Sequence, residues 1–578
     1  MRVCAAVLLG MSLVASPLLA RNADETGKED TPVAASSASA VPDKPMPVKP
    51  EASAIESEMQ DLRSLVEEQR AELEAQRAEL KAQQLKMSAL EEKFGAAPAE
   101  RVAAAPAPIT SAVSSAMPIS SAAVTPATPA AAPAQRGDDD VSPLQLKIGS
   151  AYITPVGFMD FTSEFRSHDV GSGIGTNFAG IPYGNTFNNH LSEFRLSMQN
   201  SRIGFRVDAL VHGAHVIGYM ESDFLGNNPT NVAVTSNSNT LRSRLYWVDV
   251  QKDKWEVLGG QTWSLITPGR TGISPLPGNI FFTNNIDVNY QSGLTWGRIP
   301  ELRFVVHPSD KVAFAVALDS PEQYVGGSAG APVITPPSGL AGLVGTQLNN
   351  QTNTLNVPNV APDFIAKLAF DPSNKFHVEL GGLVREFKVW NAAPAPAGTT
   401  FSKTGGGGFV NLNAEIFKGF RVLTNNFWAD GGGRYLFGEV PDLILRADDS
   451  ISPIKAASTV SGFEFTHGKS LLYAYYGGIY VYRNLAFDNP VPPATVGNII
   501  GYGTSTSSAQ NRLIQEGTIG FNETLWRDAK YGALNFMGQY SYVKRDPWAT
   551  LNPSDAHVNM VFLNLRYTLP GSAPTLGK

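Results

Sequence analysis

The strongest constraint on this chain is a period of two. In RIGFRVDAL (202–210), Ile203, Phe205, Val207 and Ala209 share one face, and Arg202, Arg206 and Asp208 share the other. FRLSMQ (194–199) sets Phe194, Leu196 and Met198 against Arg195, Ser197 and Gln199. Such a strand offers one side to an apolar phase and the other to a polar one. Paired segments recur across short turns: DFIAKLAF–DPSN–KFHVELGGLVREF (363–387), RFVV–HPSD–KVAFAVAL (303–318), FEFT–HGKS–LLYAYYGGIYVY (463–482) and GTIGFNETLW–RDAK–YGALNFMGQYSYV (517–543). Long polar stretches at 169–190, 226–239, 326–361 and 486–511 separate other segments. Strands of about ten residues with tight turns at one end and long loops at the other are the pattern of a transmembrane β-barrel. A soluble sandwich or solenoid is the competing fold.

The first residues weigh against the soluble fold. After Arg2 runs VCAAVLLGMSLVASPLLA (3–20), uncharged and ending in small residues, which reads as a secretory signal over 1–20. An uncleaved N-terminal anchor is the alternative reading of the same stretch. No later segment is apolar enough for a transmembrane helix, so an exported chain of this kind is either soluble or inserted as a closed barrel. The single cysteine, Cys4, falls inside the signal, which leaves no disulfide or Cys-ligated metal to expect after cleavage. Residues 142–578 carry 32 acidic and 32 basic side chains, which excludes a globally basic nucleic-acid surface. Residues 21–141 carry 20 acidic and 12 basic.

Composition divides the chain further. Residues 21–50 are polar and Pro/Ala/Ser-rich and are expected to be disordered. Residues 51–94 hold a heptad repeat. Met59, Val66, Leu73, Leu80 and Met87 fall at a, and Leu62, Gln69, Gln76, Gln83 and Leu90 at d. This spacing argues for a coiled coil, with a solvated single helix as the alternative. Glu72 at g faces Arg77 at e of a parallel neighbour, and three Gln at d suit hydrogen bonding about a trimer axis. About 40 helical residues would reach about 60 Å. Residues 95–141 are an Ala/Pro-rich linker, 142–570 the barrel and 571–578 a tail.

Roughly 425 barrel residues at about 26 per strand and connection correspond to about 16 strands, with 14 and 18 also compatible. A barrel of that size is expected to enclose a water-filled lumen. That implies a porin, whose selectivity resides in pore radius and wall charge. The parity of the apolar positions turns Arg195, Arg202, Arg206, Asp208, Arg303, His377, Glu379, Arg385 and Arg566 toward water. Arg242 and Arg244 share a parity with Tyr246, but lipid exposure at mid-membrane is costly for Arg, so they too are expected inside. Arg stays charged and holds a carboxylate through two donors, which suits anion recognition. The competing role for each is an ion pair that stabilises the barrel. The stretch 265–301 follows a strand, begins Pro-Gly-rich and is the best candidate for a loop folded into the pore, with Arg270 and Arg298 near the constriction.

The segments GGQTWSLITP (259–268), NIDVNYQSGLTWGRIPELRF (285–304), HVELGGLVREF (377–387), GGGRYLFGEVPD (431–442) and LRYTLP (565–570), behind a Gln-rich coil and a linker, resemble the DcaP-like porins of proteobacterial outer membranes. The resemblance runs in order along essentially the whole mature chain. It implies a homotrimer of 16-stranded barrels in outer-membrane lipid, a periplasmic coiled coil, and passive uptake of small anionic solutes such as dicarboxylates. The linker is longer than the resemblance requires. VFLNLRYTL (561–569) is similar to the terminal strand read by the outer-membrane assembly machinery, although PGSAPTLGK follows it. Two other functions are carried forward: a structural anchor spacing the outer membrane from the cell wall, and a sugar-type channel. Enzyme motifs are poor. GSGIGTNF (171–178) lacks the third glycine, GGGG (405–408) lacks the Lys-Ser/Thr of a phosphate loop, and no His pair has metal-ligand spacing. No catalysis, cofactor or metal is expected.

Overall fold

The computed structural model describes residues 142–571 apart from 230, 232, 282–283, 352–356, 359–360, 393–397, 489–496, 508 and 550–554. The expected signal, disordered segment, coiled-coil seam and linker therefore lie outside the described residues, as does the tail beyond Gly571.

Sixteen strands form one closed antiparallel sheet. In chain order they are β1 Ala151–Arg166, β2 Arg202–Val211, β3 Ala214–Asp223, β4 Arg242–Lys252, β5 Trp255–Trp263, β6 Arg298–Ser309, β7 Val312–Asp319 and β8 Asp363–Ser373. The second half runs β9 Phe376–Asn391, β10 Thr399–Phe417, β11 Phe420–Asp430, β12 Lys455–His467, β13 Ser470–Val481, β14 Asn511–Asp528, β15 Gly532–Pro547 and β16 His557–Thr568. Each strand pairs with the next, and β16 pairs back onto β1, with Arg566 opposite Asp160. Closure leaves no unpaired edge, the condition for a sheet in hydrocarbon. A short strand, Glu193–Ser197, continues the line of β2 beside β1.

Tight connections at 212–213, 253–254, 310–311, 374–375, 418–419, 468–469 and 529–531 gather at one end. His212 and Gly213 both take positive φ, 48° and 80°, as a two-residue hairpin turn requires. The other end carries the long connections, including 167–201, 224–241, 264–297, 320–362, 431–454 and 482–510.

Alternation is realised as two faces. Ile203, Phe205, Leu302, Phe304, Phe314, Leu318, Leu563 and Leu565 are exposed on the outside, while Arg206, Asp208, Glu301, Arg303, Asn564 and Arg566 are buried within. The shared parity of Arg242, Arg244 and Tyr246 is broken by a bulge. Ser222 pairs with Ser243 and Glu221 with Leu245, so Arg244 is the extra residue. Arg244 and Leu245 are both buried and Tyr246 points outward, 62 % exposed. The arginines reach the interior through that inserted residue.

One expectation is corrected. The lumen is not simply an open water-filled space, because loops pack into it. Leu265, Ile266, Val325, Leu340, Leu348, Tyr435 and Leu436 form one apolar cluster with wall residues Ile365, Leu383 and Phe387. Some aromatics also face inward: Tyr219, Trp247, Tyr473 and Tyr475 pack with Trp263, Tyr290 and Trp296. Loop burial supplies the apolar surface these rings need.

Candidate functional site

The connection 264–297 leaves β5, crosses the lumen and is fastened to the far wall. Proline at 268, 275 and 277 denies it ladder donors. Its remaining backbone donors find side chains instead. Gly269 N–H donates to Glu379 on β9 at 3.2 Å, Ile286 N–H to Gln539 on β15 at 2.6 Å, and Ser292 N–H to Glu516 on β14 at 2.8 Å. Thr295 donates through its N–H and its hydroxyl to Asn425 on β11, at 3.0 and 2.8 Å. Arg270 holds Glu464 on β12, and Asn284 donates to the same carboxylate at 2.9 Å and to Tyr475 at 3.2 Å. Polar wall side chains on β9–β15 are thus occupied in seating the loop, which satisfies buried groups that would otherwise cost heavily.

Between the loop and the opposite wall lies a narrow space, lined by Asn200, Arg202 and Arg566 from the wall side and by Trp263, Pro277, Asn285, Ile286, Asp287, Val288 and Tyr290. Arg202 on β2 and Arg566 on β16 both stack on Phe158 of β1, 4.9 and 4.2 Å from the ring centroid. One ring thus contacts two cations, and both line the space. Arg566 Nε donates to Asp160 at 2.8 Å, whereas Arg202 has only a 3.5 Å approach to Glu221, and its Nε has no hydrogen-bond partner among the described residues.

Further basic groups stand behind these. Arg244 donates to Glu221 at 2.9 Å, to Asp223 at 2.7 Å and to the Tyr290 hydroxyl at 3.5 Å. Arg298 lies over the rings of Trp263 and Trp296, at 5.7 and 5.6 Å, with no ion pair among the described residues. The field of these groups registers on the loop. Burial would raise the Tyr290 phenol, but Arg202, Arg244 and Arg298 outweigh it and hold it below its ordinary value. Burial raises the carboxyl of Asp287.

The other arginines singled out from the sequence are largely spent in ion pairs. Arg206 holds Asp208 through two donors at 2.8 Å, Arg303 meets Glu301 at 2.5 Å, and Arg385 meets Asp363 at 3.0 Å and Asp442 at 2.8 Å. Arg242 pairs with Asp223 and Arg195 with Glu193, each at 2.8 Å, and both arginines keep exposed side chains. Of the arginines singled out from the sequence, Arg202 lines this space and Arg244 and Arg298 join it around Tyr290, while Arg270 is held apart on the far wall by Glu464, and Arg195, Arg206, Arg242, Arg303 and Arg385 lie outside the lining. Sequence reasoning left out Phe158, Asn285, Asp287 and Tyr290. NIDVNY (285–290) within the loop was the available signal for the last three.

The sequence matches no protein-family model and no curated protein. Among solved structures, the fold is similar to the outer membrane channel DcaP of Acinetobacter baumannii, at 16 % identity and a TM-score of 0.52, covering 73 % of this chain and 98 % of that one. An anion-selective porin from Comamonas acidovorans also matches at 13 % identity and a TM-score of 0.40, covering 72 % of this chain and 99 % of that one. The described chain has the fold of an outer-membrane channel.

Proposed function

We propose that this protein is an outer-membrane porin for the passive diffusion of small anionic solutes, carboxylates and dicarboxylates among them. It works as a homotrimer, with the coiled coil of residues 51–94 in the periplasm. The observation that carries this reading is that Arg202 and Arg566, both in contact with Phe158, line the narrow space beside the inserted loop. Fixed guanidinium groups replace part of the water around a carboxylate and repel cations, and a pore needs no more than this to select. The aromatic rings nearby do not favour a sugar channel, since Trp263 and Trp296 are buried in the loop packing with only 3 % and 5 % exposed. The test is a planar bilayer with the purified protein in a salt gradient. Three-step openings and a reversal potential of anion-preferring sign are expected; a silent protein or a cation-preferring sign would overturn the reading.

A further inference from the structure

The outside of the barrel is not uniform. On β6–β9 the exposed positions at mid-strand are apolar, among them Leu302, Phe304, Phe314, Phe364 and Leu380. On β11–β14 the outward positions alternating with buried Asn425, Phe427, Ser458 and Val460 are polar instead. They are Thr424, Asn426, Thr459, Ser461, Tyr476 and Gln515. Register sets Asn426 beside Thr459, Gly478 and Gln515, and Thr424 beside Ser461, Tyr476 and Gly517, so the patch is continuous over four strands. Hydrogen bonds tie it together on the surface. Thr424 and Ser461 hydroxyls lie 2.8 Å apart, Thr459 donates to Asn426 at 2.9 Å, and Tyr476 donates to Gln515 at 2.8 Å. Exposed aromatics bracket it, Phe463 toward the tight turns and Trp428 toward the loops, so it occupies the depth of the apolar belt.

Lipid chains offer such groups nothing, and the mid-belt is where polar outward residues are least tolerated. The glycines within the patch point the same way. A Cβ at Gly517 would meet nothing within 4 Å, and one at Gly478 nothing closer than 3.6 Å, so the barrel's own packing does not require glycine at either position. Small and hydroxyl-bearing residues let two surfaces approach closely within a membrane and bond across the gap. We propose that the outer face of β11–β14 is where this barrel packs against further copies of the same chain. The inference rests on the homotrimer reading above and adds to it the location of the interface. Around a threefold axis, each cylinder touches its two neighbours along lines about 60° apart, roughly three strands of a barrel this size. One contiguous sector of four strands spans both lines.

The test places a photo-crosslinking residue, p-benzoylphenylalanine, at position 461 or 515 of the full-length protein in its membrane, with position 302 on β6 as the control. Intact mass in detergent is measured in parallel. Chain-to-chain adducts from 461 and 515 but not from 302 are expected. Adducts from 302, or none from 461 and 515 while the intact mass reports a trimer, would overturn the location and leave the trimer standing. A monomeric mass would overturn the trimer itself. As a second variant, Ser461→Trp should lower the temperature at which unheated oligomers dissociate, and Leu302→Trp should not. Single-barrel conductance is a separate readout, so failure of the porin reading would be distinguishable from failure of the interface.

Discussion

Arg270 on the inserted loop grips Glu464 on β12 through two parallel contacts, Nη1–Oε2 at 2.9 Å and Nη2–Oε1 at 2.7 Å. The same carboxylate accepts from Asn284 and from the Tyr475 hydroxyl, so one wall residue holds two points of the loop. Burial lowers the Arg270 pKa and Glu464 raises it, with a net shift upward. Breaking a buried pair by removing one partner typically costs about 3–5 kcal/mol, because the other charge is left uncompensated. We expect Arg270→Ala to loosen the loop, seen as larger and noisier single-channel currents and a lower melting temperature. Currents indistinguishable from the native ones would mean that the contacts to Gln539, Glu516 and Asn425 seat the loop alone.

Much of the barrel was legible because membrane burial enforces a strict local code. The hairpins at 303–318, 363–387, 463–482 and 517–543 needed only alternation and a turn. Arg244 shows where that code stops, since its inward position depends on an extra residue that parity cannot register. The Asp160–Arg566 pair joins the first strand to the last, and nothing local in either segment announces it. The loop over 265–301 could be picked out by length and proline. Its anchors, Glu379, Glu464 and Glu516, could not be told from pore-lining acids without the fold. Inward aromatics such as Trp247 and Tyr473 are illegible for the same reason, because the loops that cover them are distant in sequence.

Arg202 and Arg206 lie on the same strand and face but differ in what they have left to offer. Arg206 is closed on Asp208, and Arg202 has only its long approach to Glu221. A unit charge about 4 Å from a passing ion is worth about 1 kcal/mol even in water, or roughly fivefold in preference. We expect Arg202→Ala to cut the anion-to-cation permeability ratio by about that factor, and Arg206→Ala to leave the ratio nearly unchanged while lowering heat stability. Reversal potentials of the two variants in one salt gradient decide it. Equal losses of selectivity would show that ion-paired arginines contribute as much field as loosely held ones.

Gly293 marks a close approach of the loop to the wall. Its φ is +89°, and a Cβ there would stand 2.8 Å from Gly478 O, 2.9 Å from Gly478 N and 2.9 Å from Thr459 O, all rigid backbone. Gly293→Ala therefore has no seated conformation, and the loop must lift away from β12 and β13. We expect faster proteolysis within 264–297 and a changed conductance with the β-sheet circular dichroism intact. A variant as protease-resistant as the native protein would count against the tight seating.

Tyr290 gives the constriction a response to pH. Its phenol titrates below its ordinary value, because Arg202, Arg244 and Arg298 favour the phenolate more than burial opposes it. As pH rises through that pKa the phenol loses a proton, so one negative charge appears beside the arginines and the net positive field falls. Anion preference should thus decline as pH rises, beginning at lower pH than for a free tyrosine. Tyr290→Phe should keep the anion preference and remove the decline. Reversal potentials from about pH 7 to about pH 10 check both parts. A decline that persists unchanged in Tyr290→Phe would assign the titration to another group.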